Sequence, residues 1–246
     1  MPDLEWNKAL WTGRYNWSQR GDEWSAPWGT SEAMFFATIM PRIAYLLPAT
    51  KMLEIAPGHG RCTNVLLRFV ETYVGVDLSE TCVEYCRRRF ASRENATFHA
   101  NDGKSLAVLG DATFEFIFSY DSLVHADLDA IGPYIPQVIQ RLTPDGVAFI
   151  HHSNLAAEPG LKHGLRSTDV SASNVAALIE ASGGRVLVQE IFGGNDPGHN
   201  CDCFSTFCRS GSRVNAEKKL LLNPRLVGRE NLSARESFVH YLALRG

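Results

Sequence analysis

Two acids end two apolar runs early in the sequence, and a glycine-containing turn lies between them. Glu54 lies in the run 52–56, Gly58 and Gly60 belong to the turn that follows, and Asp77 ends the next apolar run. Glycine lets a backbone approach a ligand closely because it has no Cβ. An acid at the end of the second strand can accept hydrogen bonds from a ribose diol. The pattern therefore predicts a site for a ligand related to adenosine.

The residue three positions after the second glycine helps to decide which ligand this is. A dinucleotide site needs Gly or Ala there so that the helix can pack on the strand, and this chain has Thr63. The carboxylate of Glu54 would repel a pyrophosphate and would suit a cationic ligand. The sequence thus favours a cationic adenosine derivative. A nicotinamide-dependent oxidoreductase and a non-catalytic binding scaffold remain as alternatives.

The turn resembles motif I of class I S-adenosylmethionine-dependent methyltransferases, with Ala56 where the motif usually has its first glycine. The resemblance covers roughly residues 50–208 and is nearest to small-molecule methyltransferases of bacterial natural-product and glycan tailoring. It implies S-adenosylmethionine as cofactor and S-adenosylhomocysteine as product. It also implies that the acid after the third strand, Asp102, meets the adenine amino group. The cofactor-binding residues implied in this way are Glu54, Gly58, Gly60, Asp77, Leu78, Asn101, Asp102, Gly103 and Tyr120.

From residue 51 onward, strand-like and helix-like segments alternate, which predicts an α/β fold with a mostly parallel sheet. Strands are expected at 52–56, 73–77, 96–99, 115–120, 147–152, 185–192 and 201–208, and helices at 62–71, 79–91, 131–143 and 171–182. The resemblance implies a seven-stranded Rossmann-like sheet with an antiparallel last strand and helices on both faces.

The first 50 residues have a different composition from the rest of the chain. All five tryptophans lie in the first 28 residues, which is too aromatic for a disordered tail. We expect a helical N-terminal cap or lid over residues 1–50, a methyltransferase core over 51–210 and a C-terminal extension of unknown role over 211–246.

Composition narrows the partners and the location. The chain has 246 residues and a formal net charge of −3, so it has no overall basic field to attract nucleic acid. No apolar run approaches the ~18 residues that a membrane span needs. The six cysteines form no zinc-binding pattern, and the acids show no metal-ligand spacing, so no metal is predicted. We expect a cytoplasmic enzyme without nucleic-acid or membrane partners, and a homodimer is left open.

Candidate catalytic residues follow the fourth and fifth strands, because ligands of open α/β sheets lie at the carboxyl ends of the strands. His125 is the leading general base, Asp121 is expected one turn away to orient it, and His152 is the second candidate. Side chains alternate along a strand, so only one of His151 and His152 can face the site.

The acceptor is expected to contact aromatic and basic residues. Candidate substrate-binding residues are Tyr15 and Trp28 in the cap, Arg166 as a clamp for an anionic group, and His199. The favoured reaction is O-methylation of a small molecule, on a sugar hydroxyl or a carboxylate. Carboxyl methylation of a peptide product is the main alternative, because a carboxylate is already ionised and needs no base. N- or C-methylation ranks third.

Overall fold

The computed structural model describes residues 3–162, 164–193, 199–214, 217–223 and 226–233. Within these residues, eight strands form one sheet. They are β1 (Ala49–Ile55), β2 (Val70–Asp77), β3 (Ala96–Ala100), β4 (Phe114–Ser119), β5 (Leu142–Ser153), β6 (Gly184–Phe192), β7 (Asp202–Arg209) and β8 (Lys219–Leu222). All seven predicted strands are present at nearly the predicted positions.

The strand order is β3-β2-β1-β4-β5-β7-β6-β8. Strands β3, β2, β1, β4 and β5 pair in parallel, and β7 runs antiparallel to both β5 and β6. This confirms the predicted mostly parallel sheet with an antiparallel strand. The eighth strand was not predicted: β8 pairs in parallel with β6 at the edge of the sheet, so part of the C-terminal extension adds to the sheet.

Helices cover both faces of the sheet. They are α1 (Leu4–Ala9), α2 (Ser31–Met34), α3 (Met40–Ile43), α4 (Thr63–Leu66), α5 (Glu80–Arg89), α6 (Leu128–Arg141), α7 (Ala172–Ala181) and α8 (Leu226–Ser233). The predicted helix 62–71 was too long. The helix is a single turn, and Val70, which lies inside the predicted range, already belongs to β2. A short apolar run fits either a helix or a buried strand by pattern alone.

Neighbouring residues of β1 reach two different hydrophobic cores. Met52 packs with the N-terminal segment, α4 and α5 on one face, while Leu53 packs with α6 and α7 on the other. This alternation is the period-2 geometry of a strand covered on both faces. The consequence for function is positional: the carboxyl ends of β1, β2, β4 and β5 open on one edge, beneath the N-terminal segment.

The N-terminal segment is helical, as predicted. It contains α1, a π-helical turn at Leu10–Arg14 and a 3-10 helix at Asp22–Trp28 before α2. No helix in the described part of the chain has the length and apolar character needed to cross a bilayer.

Candidate functional site

The turn after β1 is tight enough to require glycine. Gly58 has φ +57° and Gly60 has φ +79°, values in the left-handed region that side chains disfavour. A Cβ on Gly58 would lie 3.1 Å from Trp17, and one on Gly60 would lie 2.5 Å from Phe90. Ala56 also adopts a left-handed conformation, with φ +57°, at the position where the motif usually has glycine. The backbone therefore follows the motif even where the residue type does not.

Asp77 closes this turn from the end of β2. Its Oδ2 accepts from the Gly58 N–H at 2.9 Å, and its Oδ1 accepts from the Ser79 N–H at 2.8 Å. Burial raises the pKa of Asp77 to about 6. Each carboxylate oxygen keeps a second lone pair, so Asp77 can still accept hydrogen bonds from a ribose diol.

Glu54 is held by protein groups on the inner side of the same turn. Its Oε2 accepts from the Thr63 hydroxyl at 2.7 Å and from the Tyr73 hydroxyl at 2.5 Å. Burial raises the pKa of Glu54 to about 7. Thr63, which occupies the position where a dinucleotide site needs Gly or Ala, thus holds the Glu54 carboxylate in place. Glu54 lines the cavity described next, and its contact with the cofactor remains a prediction.

A cavity of about 990 Å³, counting space open to solvent, lies over the turn. Six of the nine predicted cofactor residues line it: Glu54, Gly58, Asp77, Leu78, Gly103 and Tyr120. Gly60 shapes the turn from outside the cavity wall. A Cβ on Gly103 would lie 2.4 Å from Leu4, so the N-terminal helix packs directly on the loop after β3.

The prediction that Asp102 meets the cofactor is not supported by the geometry. Asp102 is exposed, and its Oδ1 accepts from the N–H groups of Lys104 and Ser105. Asn101 also lies outside the wall, and it donates to the hydroxyl of Tyr134 at 2.8 Å. Tyr134 is the residue that lines the cavity. Short polar side chains after a strand readily bond to the nearby backbone, which is what Asp102 does here.

The N-terminal segment contributes aromatic residues that the cofactor motif did not identify. Trp11, Trp17 and Trp24 line the cavity, and their rings contact one another at centroid distances of 5.7–6.0 Å. His59 is stacked between Trp17 at 4.2 Å and Tyr85 at 3.8 Å. Burial lowers the pKa of His59 to about 4, so it is neutral at physiological pH. We call Trp11, Trp17 and Trp24 the aromatic roof of the cavity. In the sequence, the clustering of tryptophan near the N-terminus was the only sign that these residues belong to the site.

A second cavity of about 1060 Å³, also counting open space, adjoins the first. The two cavities have a common wall, formed by Trp11, Trp24, Tyr120, Asp121 and His125. Three of the predicted substrate residues, Tyr15, Trp28 and Arg166, line the second cavity, and His199 does not. A bound cofactor and an acceptor would therefore meet at the common wall.

His125 stands in the common wall in a defined protonation state. Its Nδ1 lies 2.9 Å from the carbonyl oxygen of Leu165. A carbonyl can only accept, so Nδ1 carries the proton and Nε2 presents a lone pair. Burial lowers the pKa of His125, which favours this neutral form. The geometry suits a general base.

The expected partnership of Asp121 with His125 is wrong. Asp121 instead accepts from Arg61 at 2.8 Å. Burial would raise the pKa of Asp121, but the Arg61 guanidinium brings it below its usual value. Against the larger effect of burial, the charge of Asp121 still acts to raise the pKa of His125, but Leu165 and not Asp121 orients the ring. The chain after β4 turns at Asp121, with φ +56°, and forms a 3-10 turn at Leu123–His125. The regular helical turn that was expected between them does not form.

The prediction that His152, rather than His151, faces the site as the second candidate base is also wrong. His151 lines the second cavity, whereas His152 is fully buried, with its Nε2 2.8 Å from the Ser205 hydroxyl. The Nδ1 of His151 accepts from the Asp121 N–H at 3.1 Å, so its proton is on Nε2, which faces Asp202 at 3.6 Å. His151 has no lone pair to offer and holds its neighbours in position.

Arg166 was predicted to bind an anionic group of the acceptor, but its guanidinium is already paired. Its guanidinium binds both oxygens of Asp202, at 2.5 and 2.9 Å. Burial would raise the pKa of Asp202, but Arg166 brings it well below its usual range. The sequence could not show this pairing, because Arg166 precedes α7 and Asp202 begins β7. Within the described residues, no group of three or more His, Cys, Asp or Glu side chains could hold a metal ion, and Asp196, one of the acids considered, lies outside those residues.

Residues 52–146 match the family model of a methyltransferase domain. A comparison with curated protein sequences found no match. Many solved structures are similar. One is the N-methyltransferase NodS from Bradyrhizobium japonicum in complex with S-adenosylhomocysteine, with 13% identity, TM-score 0.60 and coverage of 84% of this chain and 97% of that one. A methyltransferase from Clostridium acetobutylicum has 14% identity, TM-score 0.58 and coverage of 76% and 92%. The glycopeptide N-methyltransferase MtfA has 19% identity, TM-score 0.53 and coverage of 73% and 89%.

At such identities the solved structures show the fold alone. The matched domain adds the activity class, and the glycine turn with Asp77 fits the cofactor of that class: Gly58 leaves the space that a Cβ would fill, and Asp77 retains lone pairs for a diol. Residues 52–146 thus form a methyltransferase domain, on the fold that S-adenosylmethionine-dependent methyltransferases have. The matched domain and the S-adenosylhomocysteine in the NodS structure support S-adenosylmethionine as the cofactor and S-adenosylhomocysteine as the product.

Proposed function

We propose that this methyltransferase acts on a hydroxyl group of a small-molecule acceptor bound in the second cavity. The observation that carries the proposal is the common wall, in which a neutral His125 stands between the two cavities with its Nδ1 proton held by Leu165. A positioned base is needed for a hydroxyl, whose proton must leave as the oxygen attacks.

The glycine turn and Asp77 would hold S-adenosylmethionine, which would supply a methyl group from its sulfonium sulfur. The C–S bond would break with its electron pair left on sulfur as the acceptor oxygen attacks the methyl carbon. His125 accepts the hydroxyl proton on Nε2 and later releases it to solvent. The walls orient the two reactants and exclude water, which converts a bimolecular reaction into one between neighbours.

Acceptors with a carboxylate, including a peptide carboxylate, fit the cavity less well. Arg166 lines this cavity and already binds Asp202, and Arg61, which lines the first cavity, already binds Asp121 in the common wall. A second carboxylate would have to displace a buried partner, and breaking such a pair is costly.

N-methylation of an amine is the second candidate. NodS and MtfA are described as N-methyltransferases, and a neutral His125 could take a proton from an ammonium as well as from a hydroxyl. This alternative differs from the first in the acceptor atom and requires no other change in the site.

Two measurements test the proposal. Calorimetry should show binding of S-adenosylmethionine or S-adenosylhomocysteine and no binding of NAD. Release of S-adenosylhomocysteine should then be followed with matched alcohols, amines and carboxylates as acceptors, and the alcohols should give the fastest turnover. Tight NAD binding without a response to either sulfur compound would overturn the activity class, whereas turnover confined to amines would move the assignment to the second candidate.

A further inference from the structure

Two ion pairs at the second cavity are complete without a ligand: Arg166 and Asp202 both line it, whereas Arg61 lines the first cavity and pairs with Asp121 in the common wall. Arg61 donates to Asp121 and to the Ser25 hydroxyl, and its guanidinium carbon lies 5.6 Å from the ring centres of both Trp24 and Tyr120. Arg166 binds both oxygens of Asp202. Each positive charge is matched by a negative one, so neither arginine offers an unmatched charge to an anionic acceptor.

The residues that line the second cavity leave three buried polar atoms without a hydrogen bond in the described chain. One is the proton-bearing Nε2 of His151, which faces Asp202 at 3.6 Å, and the other two belong to the N-terminal segment. The indole Nε1 of Trp28 is buried and makes no hydrogen bond within the described chain, in a residue that is 5% exposed. One carboxylate oxygen of Glu23 accepts from the Tyr15 hydroxyl at 2.6 Å, and the other is buried and unpartnered in the same part of the chain. Of these two, the Trp28 nitrogen can only donate a hydrogen bond and the Glu23 oxygen can only accept.

Leaving such atoms unpaired costs free energy, and a ligand that satisfies them recovers it. An ammonium carries only donors and could satisfy Glu23 but neither N–H, while a carboxylate carries only acceptors and could satisfy the N–H groups of Trp28 and His151 but not Glu23. A hydroxyl is both a donor and an acceptor. A molecule with several hydroxyls can therefore meet both kinds of unpaired atom and still present one hydroxyl to His125.

Several aromatic rings also line the cavity. Trp24, Tyr120 and Phe192 line it together with Trp28, and rings of this kind pack against the apolar faces of a ligand. A neutral ring with hydroxyls at its edge and C–H groups on its faces matches both the polar atoms and the aromatic walls.

We propose that the acceptor is a neutral polyhydroxylated ring, such as a pyranoside, and that Glu23 and Trp28 are its specificity-determining residues. The proposal rests on the proposed hydroxyl methylation. It adds the chemical class of the acceptor and the two residues that recognise that class. Glu23 and Trp28 touch hydroxyls that are not methylated, while His125 serves the one that is.

The test uses the full-length chain with S-adenosylmethionine and a panel of defined acceptors. The panel contains methyl glycosides of glucose, galactose, mannose and rhamnose, myo-inositol, glucosamine and glucuronic acid, and methylated products are detected by mass spectrometry. We expect methylation of at least one neutral glycoside or cyclitol and weaker turnover of the amine and the acid. Glucosamine or glucuronic acid as the preferred acceptor would overturn the proposal.

Two conservative variants then test the residues on the best neutral acceptor. Trp28→Phe keeps the aromatic ring and removes the N–H, and Glu23→Gln keeps the shape and removes the charge. Each should lower kcat/KM by roughly 5–100-fold, mainly through KM, because a hydrogen bond to the acceptor is lost. The affinity for S-adenosylhomocysteine should stay unchanged. Trp6→Phe and Glu5→Gln, on residues outside both cavities, are the matched controls.

The outcomes separate this inference from the proposed function. If the chain binds no S-adenosylmethionine, the proposed function itself fails. If it binds the cofactor but methylates no neutral polyhydroxylated compound of the panel, the inference alone is wrong. Wild-type kcat/KM in both Trp28→Phe and Glu23→Gln would equally refute the assignment of these two residues.

Discussion

The two cavities differ in how they are built. The cofactor cavity takes its floor from the ends of neighbouring strands: Gly58 and Asp77 belong to consecutive strand–turn units and are joined by a backbone hydrogen bond. The proposed acceptor cavity is made of residues far apart in the chain, such as Tyr15, Arg166 and Asp202. The first follows from the fold itself, and the second depends on side chains that this particular sequence brings together. We therefore expect changes in the cofactor cavity to alter cofactor binding, and changes in the acceptor cavity to alter stability and acceptor choice.

The largest expected effect is at the wall between the cavities. His125→Ala should lower turnover of a hydroxyl acceptor by roughly 10²–10⁴-fold, the usual range for a positioned general base. The affinity for S-adenosylhomocysteine, measured by calorimetry, should change little. Because burial lowers the pKa of His125 below its usual value, the acidic limb of the wild-type pH profile should lie below pH 6.5 and vanish in the variant. His99→Ala, on β3 and away from both cavities, is the control, and equal turnover in the two variants would exclude His125 as the base.

A large effect on stability is expected within the acceptor cavity. Arg166→Met leaves the buried Asp202 charge without its partner and should lower the free energy of unfolding by about 3–5 kcal/mol at neutral pH. A second change, Asp202→Asn, should restore part of this loss. The pKa of Asp202 is depressed in the fold, so the pair stabilises the fold above about pH 4, the unfolded value, and loses its effect as the pH falls further. Urea denaturation at several pH values measures this. If Arg166→Met raised the KM of the acceptor without lowering the stability, Arg166 would instead be a residue that binds the acceptor.

Two acids predicted to bind the cofactor should behave differently. Asp77→Ala should weaken S-adenosylhomocysteine binding by about 1.5–3 kcal/mol, the range for hydrogen bonds to a charged group. Asp102→Ala should have no such effect, because Asp102 is exposed and bonds only to its own loop. Calorimetry of both variants decides. Equal losses would mean that the cofactor reaches the loop after β3, contrary to the observed geometry.

The buried acids of the cofactor cavity should make the ligand-free protein less stable as the pH rises. Burial raises the pKa of Glu54 to about 7 and that of Asp77 to about 6. The folded state then holds protons that the unfolded state has released, so stability falls between about pH 4 and pH 7. Glu54→Gln should remove the part of this loss that comes from Glu54, about 3 kcal/mol for a pKa raised from 4.5 to about 7. Urea unfolding across this range provides the measurement, and a slope unchanged by the substitution would show that Glu54 is not its source.

The smallest effect is expected in the aromatic roof. Trp11, Trp17 and Trp24 line the cofactor cavity, so S-adenosylhomocysteine should change tryptophan fluorescence and slow hydrogen exchange in residues 11–30. Exchange in that segment that does not respond to the ligand would leave the tryptophans with a packing role only.

The residues of the first cavity could be predicted from the sequence to a larger extent than those of the second. Gly58, Asp77 and Tyr120 were identified because a strand, a turn and a helix in order place them at one sheet edge, whatever the rest of the chain does. Arg61, Glu23 and His59 were missed, since nothing in their local sequence distinguishes them from solvated residues. The contact of Asp102 with the cofactor stays a prediction, and the hydrogen bonds that Asp102 accepts from its own loop do not support it.

The sequence by itself determined the α/β class, seven of the strands, the cofactor turn and the aromatic character of the first 28 residues. These depend on apolar periodicity and on the conformational freedom of glycine, which act over a few neighbouring residues. Only the tertiary structure decided that Asp121 binds Arg61 rather than His125, that His151 and not His152 faces the cavity, and that Asp202 neutralises Arg166. These outcomes depend on which face of the sheet each residue of a strand occupies and on pairs of charges far apart in the chain. Neither can be predicted from a local sequence pattern.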